Sequence, residues 1–498
     1  MLGDKLRQLI LTCVVLPVHG YAVADDFQRW MQQQAEGVQQ QKQTFQKYKD
    51  ERDRDFTDFL KTQWKAVEIL KAEAHDLAPK PDVIPVAPPV PALEPFPETL
   101  DKEPTQELRL PVIKPPAFEP EPEPDKPVSH SSSEAGKSLN IEFFGTPITL
   151  SYDVSMAKSL NQKIDKAAIS DYWSSTSRTD YDSLVKQLEN WRSKLKLNDW
   201  AYVLLVNKVA HKINDNRRNE ASILSWFLLI KSSYKARVAY DQETIYLLLP
   251  SQHEMYDELY FTFGDIRYYV IEADDVRVNP GRVFTYDGEY PNASRVLDMH
   301  VTSDVATGND AQRRHLSFQF DGKNYNIEAV YDRDRIRFFE TYPQLDLGLY
   351  FGSGVYRMTA TPMQQQLLES MRGMSELQAV NFLLRFVQTS LQYETDDQQF
   401  GRENYLFPEE TIFYPYSDCE DRAVLFAWLV SSLLGLDVVG LDYPGHVAAA
   451  VHFTGMVNGD SVSYKGKRYV VTDPTYVNAR AGMSMPQFKK FAPTVVDY

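Results

Sequence analysis

The sequence predicts an α+β protein built in series. A helical arm comes first, then an acidic proline-rich linker, a β-rich middle region and a C-terminal body in which a cysteine-headed helix precedes antiparallel strands. Three observations predict this order. Residues 25–78 contain no proline and carry large side chains at helical steps. More than half of the 29 prolines fall between Pro79 and Pro127. Of the 2 cysteines, only Cys419 lies beyond the N-terminal apolar stretch, and it stands where a strongly apolar helical run begins.

Residues 1–24 have the three parts of a secretory signal: a basic start at Lys5 and Arg7, an apolar segment from Leu9 to Val18, and small residues at Ala22-Val23-Ala24. A lipidated anchor at Cys13 fits less well, because Thr12 precedes it and the apolar segment before it is short. The chain is therefore expected to be exported, to the periplasm, the envelope or the medium. No later stretch reaches the ~18 apolar residues of a membrane helix. The formal charge of −16 argues against a nucleic-acid partner, since phosphate binding rests on clustered Lys and Arg.

In the arm, residues 25–78, large side chains recur at Phe45, Tyr48, Phe56, Phe59, Leu60, Trp64, Val67 and Leu70. From Phe56 onward the steps mark one helix face. A single helix cannot bury such a stripe alone, so it must meet a copy of itself, an envelope protein or the folded body. Coiled-coil dimerisation is one reading of the arm, although the stripe is aromatic and imperfect rather than a sustained heptad. Residues 79–137 read as a disordered acidic spacer, as in Glu119-Pro120-Glu121-Pro122-Glu123-Pro124.

The folded body divides into an α+β part (138–275), a β-rich region (276–358) and a C-terminal part (359–498). Residues 155–240 read as helical, with strands at Thr244–Leu249, Leu259–Phe263 and Arg267–Glu272. Further strands are expected at Ser317–Phe320, Tyr325–Tyr331 and Arg335–Glu340, with Asp-Gly turns between runs. The last part opens with a helix over Met363–Leu391. A second helix, Glu420–Leu434, ends at Gly435, and strands follow at Val438–Leu441, Val447–Phe453 and Arg468–Thr472. The stretch Ala221–Tyr240 is similar to Arg422–Leu441, which reads either as a degenerate repeat or as two buried helices alike by chance.

A lone thiol in an oxidising compartment is a liability unless it does chemistry. It attacks a carbonyl only as thiolate, and a helix N-terminus favours that form. Asp418, Glu420 and Asp421 would raise the thiol pKa, but they suit a helix's first turn, so their expected role is capping. The candidate bases His446 and His452 share a strand at the same parity. His446 follows Pro444-Gly445 at the strand's start; His452 reads as structural. Asp473, at the end of the next strand, is placed to orient an imidazole. The bland reading of Cys419 is a small buried hydrophobe.

The order SDCEDRA, PGHVAAAV, VTDPTY resembles the transglutaminase-like superfamily over roughly residues 360–498. The flanking runs QFGRENYLFPEE and DPTYVNARAGMSMP resemble a bacterial exported branch of it. The resemblance implies a papain-like core with Cys419 as nucleophile, His446 as general base and acid, and Asp473 as the histidine's orienter. The chain departs from the family pattern at Ala448, Ala449 and Ser417. Gln392, Tyr414, Tyr416 and Asp418 are candidates for oxyanion or supporting roles. The expected function is a cysteine hydrolase of peptidase or amidase type on a protein or peptide substrate. A cross-linking acyl transferase and a non-catalytic envelope scaffold remain the alternatives. No cofactor is needed, and the histidines show no paired spacing for a metal.

Overall fold

The computed structural model describes residues 22–68, 70–72, 80–88, 136–160, 163–271, 282–302 and 305–498. The expected signal up to residue 21 and the linker over 89–135 lie outside the described residues. Two units are present, residues 1–59 and 60–498. The first holds the helix α1 as far as Phe59; α1 itself spans Ala22–Thr62. Phe45 and Tyr48 of its expected stripe are exposed.

The arm does not stay helical to residue 78. Strands β1 (Trp64–Glu68) and β2 (Leu70–Lys71) follow α1 at once. The side chains at Trp64, Val67 and Leu70, which suit a helical stripe, are aromatic or branched and serve a pleated strand equally well. Next come the hairpin β3 (Gly136–Phe143) and β4 (Thr146–Asp153), then α2 (Lys166–Thr176), α3 (Tyr181–Leu195), α4 (Asp199–Ile213) and α5 (Arg218–Lys231). Asp165, Asp180 and Asn198 cap α2, α3 and α4 by accepting a first-turn backbone N–H. Helix α5 is buried from Ala221 to Ile230, as a helix apolar all round must be.

Strands β5 (Arg237–Tyr240), β6 (Ile245–Pro250), β7 (Met255–Tyr256), β8 (Leu259–Phe263), β9 (Ile266–Ile271) and β10 (Arg282–Tyr286) follow. One antiparallel sheet runs β1-β10-β5-β6-β9-β8-β2. Because β1 and β2 are consecutive in the chain but lie at opposite edges, they close the sheet on itself, which removes its free edges. Val67 pairs with Val283 and Leu70 with Tyr260. Ala239, Leu248, Phe261, Tyr268 and Val283 form the buried cluster against which Val67 packs. The boundary expected at 275/276 does not separate two bodies, since β10 belongs to this sheet.

The middle region holds one long hairpin, β11 (Ala311–Phe320) and β12 (Lys323–Asp332), turned at Asp321-Gly322 with both φ positive. The strand expected at Arg335–Glu340 is instead helix α6 (Arg333–Phe339), because the Asp332 side chain accepts from the Asp334 N–H and starts a helix. After β13 (Gln344–Leu345) come α7 (Leu347–Phe351), α8 (Arg357–Ser370) and α9 (Glu376–Ser390). The single helix expected over Met363–Leu391 is broken at Gly373, whose φ is 82°, and Ser375 with Gln378 caps the new one. Short α10 (Asp396–Gln399) and α11 (Pro408–Phe413) lead to α12 (Cys419–Leu434), which Gly435 ends in the left-handed conformation. Strands β14 (Asp437–Tyr443), β15 (His446–His452), β16 (Ser461–Tyr464), β17 (Lys467–Thr472) and β18 (Thr494–Val496) form a sheet in the order β16-β17-β15-β14-β18.

The two sheets share one connectivity. The order β10-β5-β6-β9-β8 repeats as β18-β14-β15-β17-β16, and each is preceded by a buried helix, α5 packed chiefly on β6 and α12 packed chiefly on β15. Counterparts begin at Arg218 and Cys419, at Ile245 and His446, and at Ile266 and Lys467, separated by the same interval in all three cases. That interval is also the offset between the similar stretches at Ala221 and Arg422. The barrel and the C-terminal sheet are thus two versions of one helix-and-sheet unit.

Burial separates two leucines of the barrel. Leu248 is fully buried and Leu70 is about half exposed. Leu248→Ala should lower the unfolding free energy by about 2–5 kcal/mol, and Leu70→Ala by no more than about 0.5 kcal/mol. Denaturant midpoints at unchanged m-value check both.

Candidate active site

Cys419 is the first residue of α12, and α12 lies against the start of β15. The Val447 N–H therefore meets Sγ at 3.4 Å, while the thiol itself donates to Glu420 Oε2 at 3.1 Å. His446 opens β15 because Pro444-Gly445, with Gly445 at φ 75°, turns the chain between the paired residues Tyr443 and His446. Its Nε2 lies 2.9 Å from Asp473 Oδ2. The other oxygen of Asp473 accepts the N–H groups of Thr475 (3.0 Å) and Tyr476 (3.1 Å), so the carboxylate is fixed from both sides. Phe488 stacks on the imidazole at 4.9 Å. His446 Nδ1 is buried with no hydrogen-bond partner among the described residues.

Cys419, His446 and Asp473 are thus gathered at one place, and all are buried, at 0%, 1% and 2% exposure. This corrects the expectation of an activated thiolate. Burial pushes the Cys419 thiol well above its ordinary range, and the Glu420 and Asp418 carboxylates push it further. Lys80 and the Val447 N–H pull in the other direction without reversing it.

Lys80 had no place in the sequence reading. It belongs to a described segment, residues 80–88, inside what was expected to be a disordered linker. Its ammonium lies 3.0 Å from Asp418 Oδ2, bonds Glu420 Oε1 and Glu403 Oε1, and has Asp396 Oδ2 at 3.9 Å. Glu420 therefore does more than cap: one oxygen holds Lys80 and the other the thiol. Burial is the largest single influence on its pKa and pushes it up, but the Lys80 charge together with hydrogen bonds from Asp418, Lys80 and the Cys419 thiol more than offsets it and brings it down to about 2. Asp421 does act at the helix start, accepting the Leu406 N–H (2.9 Å) and the Asp418 N–H (3.3 Å). Burial, and then Glu420, push Asp421 up to about 7. Burial, and then Glu420, raise Asp418 well above the carboxylate range, and burial, and then Asp421, do the same for Asp396.

The four supporting candidates fare differently. The Gln392 side chain is exposed, and only its carbonyl takes part, accepting the Ser417 N–H at 3.0 Å. The Tyr414 hydroxyl is engaged with Glu340 at 2.9 Å and faces a separate cavity with Tyr405, Phe407 and Glu410. Tyr416 is half-buried and bridges Gln392 through its backbone. Asp418 alone stands at the site, with Oδ1 unpartnered among the described residues. Two residues missed by sequence reasoning hold the site's frame. Gln388 Nε2 donates to the carbonyls of Asp473, Tyr476 and Ala479, and Arg422 donates to Ser417 Oγ and to the carbonyls of Gln388 and Leu391. A buried polar residue on an apolar helix, as both are, is the sequence signal that could have found them.

Two carboxylate groups, Asp396/Glu403/Glu420 and Asp396/Asp418/Asp421, have the spacing to hold a metal, but Lys80 is ion-paired within them. Elsewhere, Asp298 Oδ1 lies 2.6 Å from His300 Nδ1 and 3.4 Å from His253 Nε2, a His-Asp-His group brought together by the fold with no paired spacing in the sequence. In the first version of the repeat, Arg218 stands where Cys419 stands and Ile245 where His446 stands. Asp473 corresponds to Glu272, which lies outside the described residues. Comparison with family models, curated proteins and solved structures finds no match for this chain.

The raised carboxyls set a pH dependence. Folded Asp421 holds its proton more tightly than in the unfolded chain, so between about pH 4 and 7 the folded state binds more protons. Its contribution to stability is present at low pH and lost as pH rises towards 7. Glu420 has the opposite sign and loses its contribution only as pH falls towards about 2. The melting temperature should rise as the pH is lowered from about 8 to about 5, and Asp421→Asn should flatten that rise; calorimetry across this range checks it.

Proposed function

We propose that the chain is an exported cysteine hydrolase of peptidase or amidase type, built on a papain-like core of transglutaminase-like kind. The observation that carries the reading is the His446 ring: Nε2 is fixed by Asp473, Nδ1 is buried with no partner among the described residues, and the N–H of the next residue, Val447, meets the Cys419 sulfur. An imidazole held at one nitrogen and open at the other is the arrangement of a general base.

The reaction would run through a thioester. The thiol proton passes to His446 Nδ1 as sulfur bonds to the substrate's carbonyl carbon. His446 then gives that proton to the leaving amine as the C–N bond breaks. Water, deprotonated by the same nitrogen, attacks the thioester, and the C–S bond breaks to return the thiol. An amine in place of water would make the chain a cross-linking transferase. One observation favours a different class, an envelope scaffold: the first version of the repeat keeps the fold with Arg218 and Ile245 at the chemical positions. The helical arm, under either reading, is the part that meets a copy of itself or an envelope protein.

The test is acylation by 4-nitrophenyl acetate, in the wild type and in Lys80→Ala. The expected result is a burst of nitrophenolate with an acetyl adduct on Cys419. His446→Ala should slow acylation by about 10²–10⁴-fold, and Cys419→Ala should remain folded and abolish it. Turnover no faster than that of Cys419→Ala in both proteins would reject the enzyme in favour of the scaffold.

A further inference from the structure

Residues 80–88, Lys-Pro-Asp-Val-Ile-Pro-Val-Ala-Pro, have too few apolar side chains to fold alone, and three prolines keep them extended. Yet the segment is anchored at both ends. At one end Lys80, with its side chain 5% exposed, bonds Asp418 and Glu420, the two residues that flank Cys419. Beside it the Pro81 carbonyl accepts the Tyr393 hydroxyl at 2.6 Å. At the other end Val86 pairs in parallel with Val477. The Val477 N–H donates to the Pro85 carbonyl at 2.9 Å, and the Ala87 N–H donates to the Val477 carbonyl at 2.7 Å. Ala87 is 2% exposed and packs on Tyr476, Ala479 and Met485, beside the Phe488 that stacks on His446.

One anchor is therefore at the nucleophile and the other on the loop that leaves Asp473. Cys419, His446 and Asp473 are buried, and two polar atoms beside them, His446 Nδ1 and Asp418 Oδ1, are buried with no partner among the described residues. Unpartnered buried atoms are costly, and they mark places where a ligand's polar groups belong.

We propose that residues 80–88 occupy the groove in which the substrate lies, and that this groove takes an extended polypeptide. Its recognition would be an ammonium side chain held by Asp418, Glu420 and Glu403, with backbone pairing along Val477. The inference rests on the acyl-transfer reading of Cys419. The segment is a weak occupant of such a groove, because Pro85 and Pro88 bring no N–H to the pairing and Ala87 supplies the bond to Val477. A peptide without those prolines forms more of the same bonds and displaces it. The resting chain is thus closed by a mimic of its own substrate.

The experiment measures iodoacetamide alkylation of Cys419 in the full-length chain, read by mass spectrometry. Lys80→Glu removes the near anchor. Ala87→Arg removes the far one without touching the carboxylates. Each should speed alkylation by at least about tenfold (about 1.4 kcal/mol of opening) with the melting transition retained. A free peptide of residues 80–88 should restore protection in Lys80→Glu, and the same peptide with Glu in place of its lysine should not. In the wild type, which needs no variant to fold, a lysine peptide lacking the prolines should speed hydrogen exchange at the Ala87 amide and leave the Val477 amide protected. Unchanged alkylation in both folded variants, or a wild-type Ala87 amide that ignores the peptide, overturns the proposal. Faster alkylation without any acetyl burst keeps the groove and rejects the acyl-transfer chemistry instead.

Discussion

A single ammonium group makes the C-terminal site possible. Asp396, Asp418, Glu420 and Asp421 are all buried around the start of the helix that carries Cys419. Carboxylates taken out of water at this density repel one another and lose their hydration. Lys80 bonds or approaches three of them, together with half-buried Glu403, and the N-terminus of α12 adds a favourable dipole. The remaining charge is relieved by protonation, which is why Asp418, Asp396 and Asp421 titrate high while Glu420, nearest the ammonium, stays ionised. The thiol donates to the group that remains charged. Its proton is therefore held on sulfur by the same arrangement that holds the segment bearing Lys80.

Under the proposed function, closure and thiol chemistry would have one common cause. While Lys80 is in place, Cys419 and His446 are buried, the thiol pKa is raised, and the thiol donates to Glu420. A ligand ammonium entering the same carboxylates would preserve their compensation while bringing a carbonyl to Sγ, so the electrostatic cost of opening is offset by the group that binds. Removal of Lys80 without replacement would leave several buried acids uncompensated, and each would respond by taking a proton.

The part of this that sequence alone reveals is the part with local causes. Helix α12 is legible at both ends, from its acidic first turn and from Gly435. Cys419, His446 and Asp473 are legible as candidates because Cys419 is the only thiol beyond the apolar stretch and the His and Asp follow on strands in the expected order. What escaped has causes distant in the chain. Lys80 and Asp418 are 338 residues apart, and an ion pair of that range leaves no periodicity to read. Trp64, Val67 and Leu70 satisfy a helical stripe and a strand equally, and only their pairing with β10 and β8 decides between them. Arg335–Glu340 is rich in strand-forming side chains, yet one cap from Asp332 turns it into a helix. The repeat was visible as a similarity of two stretches, but its extent appears only when both sheets are seen to share one strand order.

The repeat also separates what the fold requires from what the site adds. Residue by residue, Asp421 corresponds to Glu220, and the two act alike: Glu220 accepts the Leu160 N–H at 3.1 Å just as Asp421 accepts the Leu406 N–H, each tying the preceding chain to the helix start. An acid at that position belongs to the architecture. The neighbouring positions differ. Where the second version has Asp418, Cys419 and Glu420, the first has Arg217, Arg218 and Asn219, and α5 folds and buries its apolar run without them. The fold therefore does not need Asp418 or Glu420, and their burial is a cost to stability that the first version avoids. They occur where the thiol, the imidazole and the docked segment occur. Under the proposed reading, what binds beside Cys419 would account for their presence, and Lys80, the thiol and the carboxylates form one electrostatic unit.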